Sequence, residues 1–221
     1  MKKTIFALLL AVAPITVMAQ AKPGELDSVL RQMDAVSPKF KTAEADVQRD
    51  FYERVVRQTT TQHGIIYFKK SGSNLEMGAK INPPGAKFLS FKGGRLALFD
   101  PLTKDLKVFD SGKNRAQYES FLTLGFGGSG TELAKAWIIT YVGNESISDG
   151  KTNINTVKLD LVSKDANVRN MFSHITIWVD PSRDISLKQQ FFTPSDDYQT
   201  ATYTNIRYNQ PVDAKPYEYK K

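Results

Sequence analysis

Residues Phe88 to Asp110 read FLSFKGGRLALFDPLTKDLKVFD, and this segment carries the clearest fold signal in the chain. Gly93-Gly94 and Asp100-Pro101 mark two turns, because glycine adopts positive φ at little cost and proline presets the φ of a turn position. The segments between the turns are short, apolar and rich in β-forming residues. The pattern predicts a β-meander.

Strand patterns also cover most of the chain outside this meander. The segment that follows Phe40 alternates, with Val47, Phe51 and Val55 on one face. Because the chain contains no internal repeat and no low-complexity linker, we expect no domain boundary among these strands. Further strands are predicted at residues 63–69, 74–81, 155–162, 173–180, 185–193 and 199–208.

Helical spacing occurs in two places. Apolar residues recur at intervals of three and four from Glu25 to Val36, which predicts an amphipathic helix that ends at Ser37-Pro38. Residues 115–141 do not alternate. They predict two short helical pieces around the loop Gly125 to Gly130, with Thr131 as the N-cap of the second piece.

A long antiparallel sheet with few helices must curl in order to cover its apolar face. We therefore predict a mainly β chain of the α+β class. Its curved antiparallel sheet would form a half-open, unclosed β-barrel with a helical lid and an N-terminal helix. Such a sheet encloses either a ligand cavity or a dry core, and hydrophobic periodicity alone does not distinguish the two.

The N-terminus has the pattern of a secretory signal peptide. A basic start is followed by a short apolar segment, and Ala19-Gln20-Ala21 fits the small-x-small cleavage rule, with cleavage after Ala19 as an alternative. The apolar run is short for a membrane span, and an uncleaved anchor is the other interpretation. We expect residues 1–21 to be cleaved, residues 22–221 to form a single domain, and the protein to reside in the periplasm.

The formal net charge of +7 favours anionic partners. Nucleic acid is not expected, because export separates the protein from DNA and RNA and no compact run of Lys and Arg with interleaved aromatic residues occurs. Solvated side chains on polar strand faces account for most of the charge, and we expect transient contact with anionic membranes. With 0 Cys, the chain has no lipidation site of its own.

No residue pattern predicts an enzyme, a cofactor or a metal site. The 2 His, His63 and His174, lie on separate predicted strands, and no Gly-x-Ser-x-Gly motif accompanies them. Gly125-x-Gly127-x-x-Gly130 matches the dinucleotide fingerprint in its letters, but the surrounding pattern is antiparallel sheet rather than a strand, a crossover helix and a parallel strand. We expect no catalytic residue, no cofactor and no metal ligand.

Further short motifs occur in a fixed order along the chain. They are Phe40-x-x-x-x-Ala45-Asp46-Val47, Gly64-x-x-x-Phe68-Lys69, Pro83, the 88–110 meander, Leu133-x-x-x-Trp137-x-Ile139, Gly143, Gly150, Ile175-x-Ile177-Trp178-Val179-Asp180 and Asn205-Ile206. In this order they resemble the LolA-type periplasmic lipoprotein carriers across nearly the whole mature chain. The resemblance implies an unclosed β-barrel that holds the acyl chains of a lipoprotein during transit from the inner to the outer membrane.

The resemblance also implies partners. They are an acylated lipoprotein or another envelope lipid as cargo, an inner-membrane complex that releases it, and an outer-membrane acceptor, and we expect the carrier to be a monomer. The cargo stays open, because lipoproteins, glycolipids and phospholipids present similar tails. A lipid-sensing or envelope-regulatory interaction module on the same fold is the second interpretation, and an enzyme acting on envelope lipids is the weakest.

Two sets of apolar residues are the candidate lipid-binding residues. Each set also has a plainer interpretation, a dry core for the first and an ordinary surface loop for the second. The predicted cavity residues are Val47, Phe51, Phe68, Leu75, Met77, Leu98 and Val108. The predicted lid residues are Phe121, Leu122, Leu124, Phe126, Leu133 and Trp137, with the glycine-rich loop at 125–130 as a hinge.

Lys70 is the candidate lid latch. At this position the LolA-type carriers have an Arg followed by Pro, and the arginine holds the lid by hydrogen bonding to its backbone, whereas this chain has Lys70-Ser71. Lysine can donate to a carbonyl but lacks the planar fork of arginine. We therefore expect an exposed, solvated lysine, with a latch as the alternative.

Overall fold

A sheet of eleven antiparallel strands dominates the computed structural model, which describes residues 24–72, 74–110, 112, 121–122 and 124–219. The predicted signal peptide, residues 1–21, lies outside the described residues, as does most of the first helical piece predicted before Gly125. In chain order the strands are β1 (Thr42–Glu53), β2 (Gln58–Ser71), β3 (Asn74–Ile81), β4 (Lys87–Lys92), β5 (Arg95–Phe99), β6 (Leu106–Asp110), β7 (Trp137–Ser148), β8 (Asn153–Ser163), β9 (His174–Asp180), β10 (Ile185–Phe192) and β11 (Tyr198–Tyr208).

The sheet grows outward from the pairing of its first and last strands. β1 pairs with β11, so that Val47 lies opposite Tyr203, and the order runs β6-β5-β4-β3-β2-β1-β11-β10-β9-β8-β7. Within the described residues, β6 and β7 are therefore the two outer strands and the barrel is not closed. The predicted fold class is confirmed.

Three α-helices accompany the sheet in the described part of the chain: α1 (Glu25–Val36), α2 (Gly130–Ala136) and α3 (Ala166–Met171). α1 has the predicted bounds, and its apolar face covers the half of the concave sheet face that β7 to β10 form. None of the described helices has the length and apolar character that a membrane span requires.

The N-cap of α2 is Ser129, and the prediction of Thr131 was wrong. The Ser129 hydroxyl accepts from the Glu132 backbone N–H at 3.1 Å, and the Glu132 carboxylate accepts from the Ser129 N–H at 3.4 Å, which together form a capping box. Thr131 instead donates from its N–H and its hydroxyl to Asp34, each at 2.9 Å. Those bonds connect α2 to α1.

Two elements were missed by the sequence patterns. β7 lies at the outer end of the sheet and carries apolar residues on both faces, with Ile138 58% exposed, so the run WIITYV does not alternate. Trp137, predicted as helical, is the first residue of this strand. α3 buries none of its side chains and therefore has no apolar stripe to detect. Val55, assigned to the first strand, lies in the turn between β1 and β2.

The buried side chains form two clusters on the concave face. The first cluster lies over β1 to β4, β10 and β11 and includes Phe68, Met77 and Phe91. The second lies under α1 and α2 and includes Leu159, Ile177 and Trp137. The loop between Leu124 and Gly127 supplies Phe126 to the first cluster and Leu124 to the second.

Candidate functional site

The loop Leu124 to Gly127, which we call the plug loop, enters the hollow of the sheet and forms an isolated antiparallel bridge with β10 between Phe126 and Ile185. The Ser186 N–H donates to the Gly125 carbonyl at 2.6 Å, and the Gly127 N–H donates to the Asp184 carbonyl at 3.0 Å. The Gln189 side-chain amide also donates to the Leu124 carbonyl. These bonds pair three backbone groups of the loop, the carbonyls of Leu124 and Gly125 and the N–H of Gly127, inside an apolar interior.

Phe126 fills the centre of the hollow. Its ring stacks on Phe68 with the centroids 3.9 Å apart and an interplanar angle of 11°, and it meets Tyr203 edge-on with the centroids 5.0 Å apart. Phe126 is only 2% exposed. The space between Phe68 and Tyr203 is therefore taken by a side chain from the plug loop.

The glycines at and beyond the plug loop are explained by packing. A Cβ on Gly127, whose φ is +71°, would lie 2.3 Å from the ring of Phe40, and a Cβ on Gly130 would lie 2.2 Å from the carbonyl oxygen of Leu30. The helix that follows has seven residues and leads into β7, which is antiparallel to β8. The resemblance to a dinucleotide fingerprint is therefore confined to its letters.

A cavity of about 760 Å³ opens beside the plug loop, within the range of roughly 300–1,000 Å³ that is typical of ligand pockets. Its inner wall is apolar, and charged residues lie among those that line it. The lining residues are Met33, Lys70, Leu75, Phe121, Leu124, Gly125, Phe126, Gly127, Gly128, Ser129, Glu132, Leu133, Lys135, Ala136, Trp137, Ser163, Lys164, Asp165 and Val168.

Lys70 is half-buried and hydrogen bonded, which differs from the solvated lysine that we expected. Its ammonium group donates to the Gly127 carbonyl at 2.9 Å, and the Ser37 hydroxyl donates to the same oxygen at 2.8 Å. A point charge on a flexible stem is sufficient here, because the acceptor is one carbonyl oxygen rather than a carboxylate. Ser37 was missed, since a serine before a proline indicates only the end of a helix.

The comparisons with known proteins concern the fold. No protein-family model matches the sequence, and no curated protein does either. Among solved structures, MucB is 11% identical over 89% of this chain and 63% of MucB, with a TM-score of 0.54. An uncharacterized conserved protein from Thermus thermophilus is 11% identical over 88% of this chain and 94% of that one, with a TM-score of 0.53. MucB has also been solved in complex with MucA(peri).

These two likenesses agree with the architecture described above, an unclosed antiparallel sheet with an N-terminal helix over its concave face. The chain shares this fold with MucB and with the Thermus thermophilus protein. A LolA superfamily protein, NE2245 from Nitrosomonas europaea, is also among the similar structures, at 13% identity over 88% of this chain and 97% of that one, with a TM-score of 0.41.

The predicted lid residues lie close together in this fold. Phe121, Leu124, Phe126, Leu133 and Trp137 all line the cavity. Leu122 instead packs, half-buried, against the cluster around Phe68.

The predicted cavity residues are more scattered. Val47, Phe68 and Met77 are buried in the cluster that Phe126 completes, and Leu75 lines the cavity. The others do not line it: Phe51 lies half-buried under the Arg49 guanidinium, Leu98 lies half-buried opposite Leu89, and Val108 lies opposite Ala97 on the other face of the sheet, 44% exposed.

Asp184, in the turn between β9 and β10, was not detected from the sequence. Its carboxylate is fully buried, and neither oxygen has a hydrogen-bond partner among the described residues. Burial raises the pKa of the Asp184 carboxyl to about 7, although the positive charge of Lys70 acts in the opposite direction. Its backbone carbonyl is the acceptor for Gly127, so this group lies directly beneath the plug loop.

Within the described residues, no three side chains of His, Cys, Asp or Glu come together in a way that could hold a metal ion. The two histidines remain far apart in the sheet, on β2 and β9. The His174 Nδ1 and the Asp160 carboxylate form a hydrogen bond of 2.7 Å. The His174 ring also stacks on Phe192, with the ring centroids 4.2 Å apart. That cluster lies on the convex face, away from the cavity.

Proposed function

We propose that this protein is a non-enzymatic periplasmic carrier, which binds the acyl chains of lipoproteins or related envelope lipids inside the sheet and moves them from the inner to the outer membrane. The observation that carries the proposal is the plug loop. It places Phe126 in the hollow, beside an apolar cavity, on a segment that only an isolated bridge to β10 and a few further hydrogen bonds hold.

The magnitudes indicate what kind of ligand can displace the plug loop. Burying a phenylalanine contributes about 1.5–3 kcal/mol, and each of the five hydrogen bonds that join the loop to the β9–β10 hairpin, Lys70 and Ser37 contributes about 0.5–1.5 kcal/mol. Undocking therefore costs about 4–10 kcal/mol. Since a buried methylene contributes about 0.8 kcal/mol, roughly 5–13 methylenes balance that cost. A long acyl chain meets this requirement, whereas a small apolar molecule does not.

In this proposal Lys70 and Ser37 act as the latch. Both donate to the carbonyl of Gly127, which is the last residue of the plug loop, and loss of that acceptor frees the loop to leave the hollow. Residues 22–221 would act as one domain after removal of the signal peptide. Loading would occur at an inner-membrane releasing complex and delivery at an outer-membrane acceptor, with transient membrane contact at both.

The test is native mass spectrometry of the protein purified from a Gram-negative periplasm in which lipoproteins are overproduced. We expect an adduct that carries acyl chains. Leu75→Asn and Leu133→Asn should remove the adduct, because both side chains line the cavity. Val108→Asn is the matched control, since Val108 lies on the other face of the sheet. Circular dichroism establishes that each variant is folded, and an unliganded mass for the wild-type protein would contradict the carrier function.

A second candidate function is protein binding as an envelope-regulatory module. MucB shares the fold and is found in complex with MucA(peri), which supports a protein partner for this chain. One measurement distinguishes the two candidate functions, namely transfer of the bound lipid to acceptor membranes. A carrier transfers the acylated adduct to acceptor membranes, whereas a regulatory module keeps it and binds its protein partner in a lipid-dependent way.

A further inference from the structure

Trp137 carries a hydrogen-bond donor with no acceptor. The residue lines the cavity at the start of β7, opposite Ser163 of β8, and is 4% exposed. Its indole N–H has no partner among the described residues. A buried tryptophan normally satisfies this group, as Trp178 does by donating to Glu145 at 2.7 Å. An unmet donor is unfavourable until an acceptor enters the cavity.

Other polar residues that line the cavity are already engaged. Lys70 donates to Gly127, and Lys164 donates to the Ala134 carbonyl at 2.7 Å. The carboxylates of Glu132 and Asp165 accept from backbone N–H groups at the N-termini of α2 and α3.

Lys135 is the exception among the charged lining residues. It lies on α2, is exposed, and has no hydrogen bond or ion pair in the described part of the chain. Two groups therefore remain for a ligand: the buried indole N–H of Trp137, whose side chain lines the cavity, and the unpaired ammonium of Lys135 at its exposed edge.

We propose that the ligand of this cavity is an anionic diacyl phospholipid whose ester carbonyl accepts from the Trp137 indole N–H and whose phosphate pairs with Lys135. The inference rests on the proposed function, because it assumes that acyl chains enter the hollow. It adds the chemistry of the head region: hydrocarbon alone satisfies neither group, and a zwitterionic lipid offers Lys135 a weaker partner. Trp137 then selects for the acyl linkage, and Lys135 selects for the headgroup.

The experiment is a competition measured by native mass spectrometry. The protein is incubated with vesicles that contain equal amounts of dioleoyl phosphatidylglycerol, its diether analogue, which lacks the carbonyls, and dioleoyl phosphatidylcholine. We expect the wild-type protein to prefer the diester over the diether by roughly 5- to 100-fold, which is the range for satisfying one buried donor. Preference for the anionic over the zwitterionic diester should be roughly 2- to 5-fold, because Lys135 is exposed.

Two variants separate the two groups. Trp137→Phe keeps an aromatic ring and removes the N–H, so it should bring the diester-to-diether ratio close to one and leave diether binding intact. Lys135→Gln should remove only the headgroup preference. Trp178→Phe is the matched control for loss of an indole and should change neither ratio.

Each outcome has a defined meaning. Equal binding of diester and diether by the wild-type protein would overturn the role of Trp137, while binding of both lipids would still support the carrier function. Absence of any adduct, both with these lipids and with an added diacylglyceryl lipopeptide, would overturn the proposed function itself. Exclusive uptake of a diacylglyceryl lipopeptide added as a further competitor would overturn the phospholipid assignment.

Discussion

Asp184 is a buried carboxyl whose raised pKa contributes to the pH dependence of stability. Its positive φ of 54° is tolerated by Asp and Asn better than by most residues, and its side chain is fully buried near Lys70, Asp34 and Glu132. The folded pKa of about 7 exceeds the ordinary value of 3.8, so the folded state retains a proton that the unfolded state releases. This contribution to stability is full below pH 3.8 and is lost as the pH rises through about 7.

Asp184→Asn tests this assignment, because asparagine imitates the protonated carboxyl and does not titrate. We expect the free energy of unfolding of the wild-type protein to fall by a few kcal/mol, relative to the variant, between about pH 4 and pH 7. The variant should be the more stable protein at about pH 8. Urea denaturation at several pH values measures the difference, and parallel pH curves for the two proteins would contradict the assignment.

The second prediction concerns the hydrogen bond from Lys70 to the plug loop. Lys70→Met keeps the length of the aliphatic stem and removes the donor to Gly127, so opening of the plug loop should become easier by about 1 kcal/mol. Hydrogen exchange of the Gly127 amide measures this opening and should accelerate roughly fivefold. Lys69→Met is the control, since Lys69 is the exposed neighbour on β2. Equal acceleration in both variants would exclude a latch at Lys70.

Among the elements of the fold, the plug loop depends most on a single backbone position. Gly127→Ala places a methyl group 2.3 Å from the Phe40 ring at a φ of +71°, so the loop can dock only with strain. We expect a loss of about 1–3 kcal/mol in the free energy of unfolding. Gly128→Ala is the matched control, because nothing lies within 4 Å of its added Cβ. Similar stabilities of the two variants would show that docking of the loop contributes nothing to the free energy of unfolding.

The elements also show where sequence patterns succeed. α1 and β3 have their predicted bounds, because each has a clear period and an identifiable end. In the meander, Gly93 and Gly94 both adopt positive φ in the turn between β4 and β5, as the pair predicts. β7 could not be predicted in the same way, since its outward face is also apolar. The N-cap of α2 could have been predicted, because Ser129-x-x-Glu132 is a capping-box pattern, whereas Thr131 is followed three residues later by Ala134.

The candidate site could be predicted only in part, because tertiary packing brings together residues that are remote in the sequence. Five of the six proposed lid residues line the cavity, because they are close together in the sequence. The wall opposite them comes from Met33, Ser163 and Val168, on elements remote in sequence. Val47 and Phe68 face a side chain rather than a cavity because Phe126, which is remote from them in the sequence, packs in the same cluster. Hydrophobic periodicity does not predict such a tertiary contact.

In the proposed carrier function, cargo exchanges places with the plug loop. We expect hydrogen exchange at residues 124–127 to accelerate when an acyl lipid is loaded, while β1 and β11 at the centre of the sheet stay protected. The measurement compares loaded and delipidated protein by exchange coupled to mass spectrometry. Slower exchange at residues 124–127 on loading would show instead that the loop closes over the ligand and that Phe126 is not displaced.

The two tryptophans of the chain lie on opposite faces of one sheet. Trp137 borders the cavity, whereas Trp178 lies between Lys158 and Lys188 on the convex face, with their ammonium groups 4.8 and 4.3 Å from its ring. In the proposed function, entry of a lipid changes the polarity around the Trp137 indole and leaves the Trp178 indole in place. We therefore expect the ultraviolet emission of the unlabelled protein to report loading through Trp137, with Trp178 as a constant internal reference and without an attached dye.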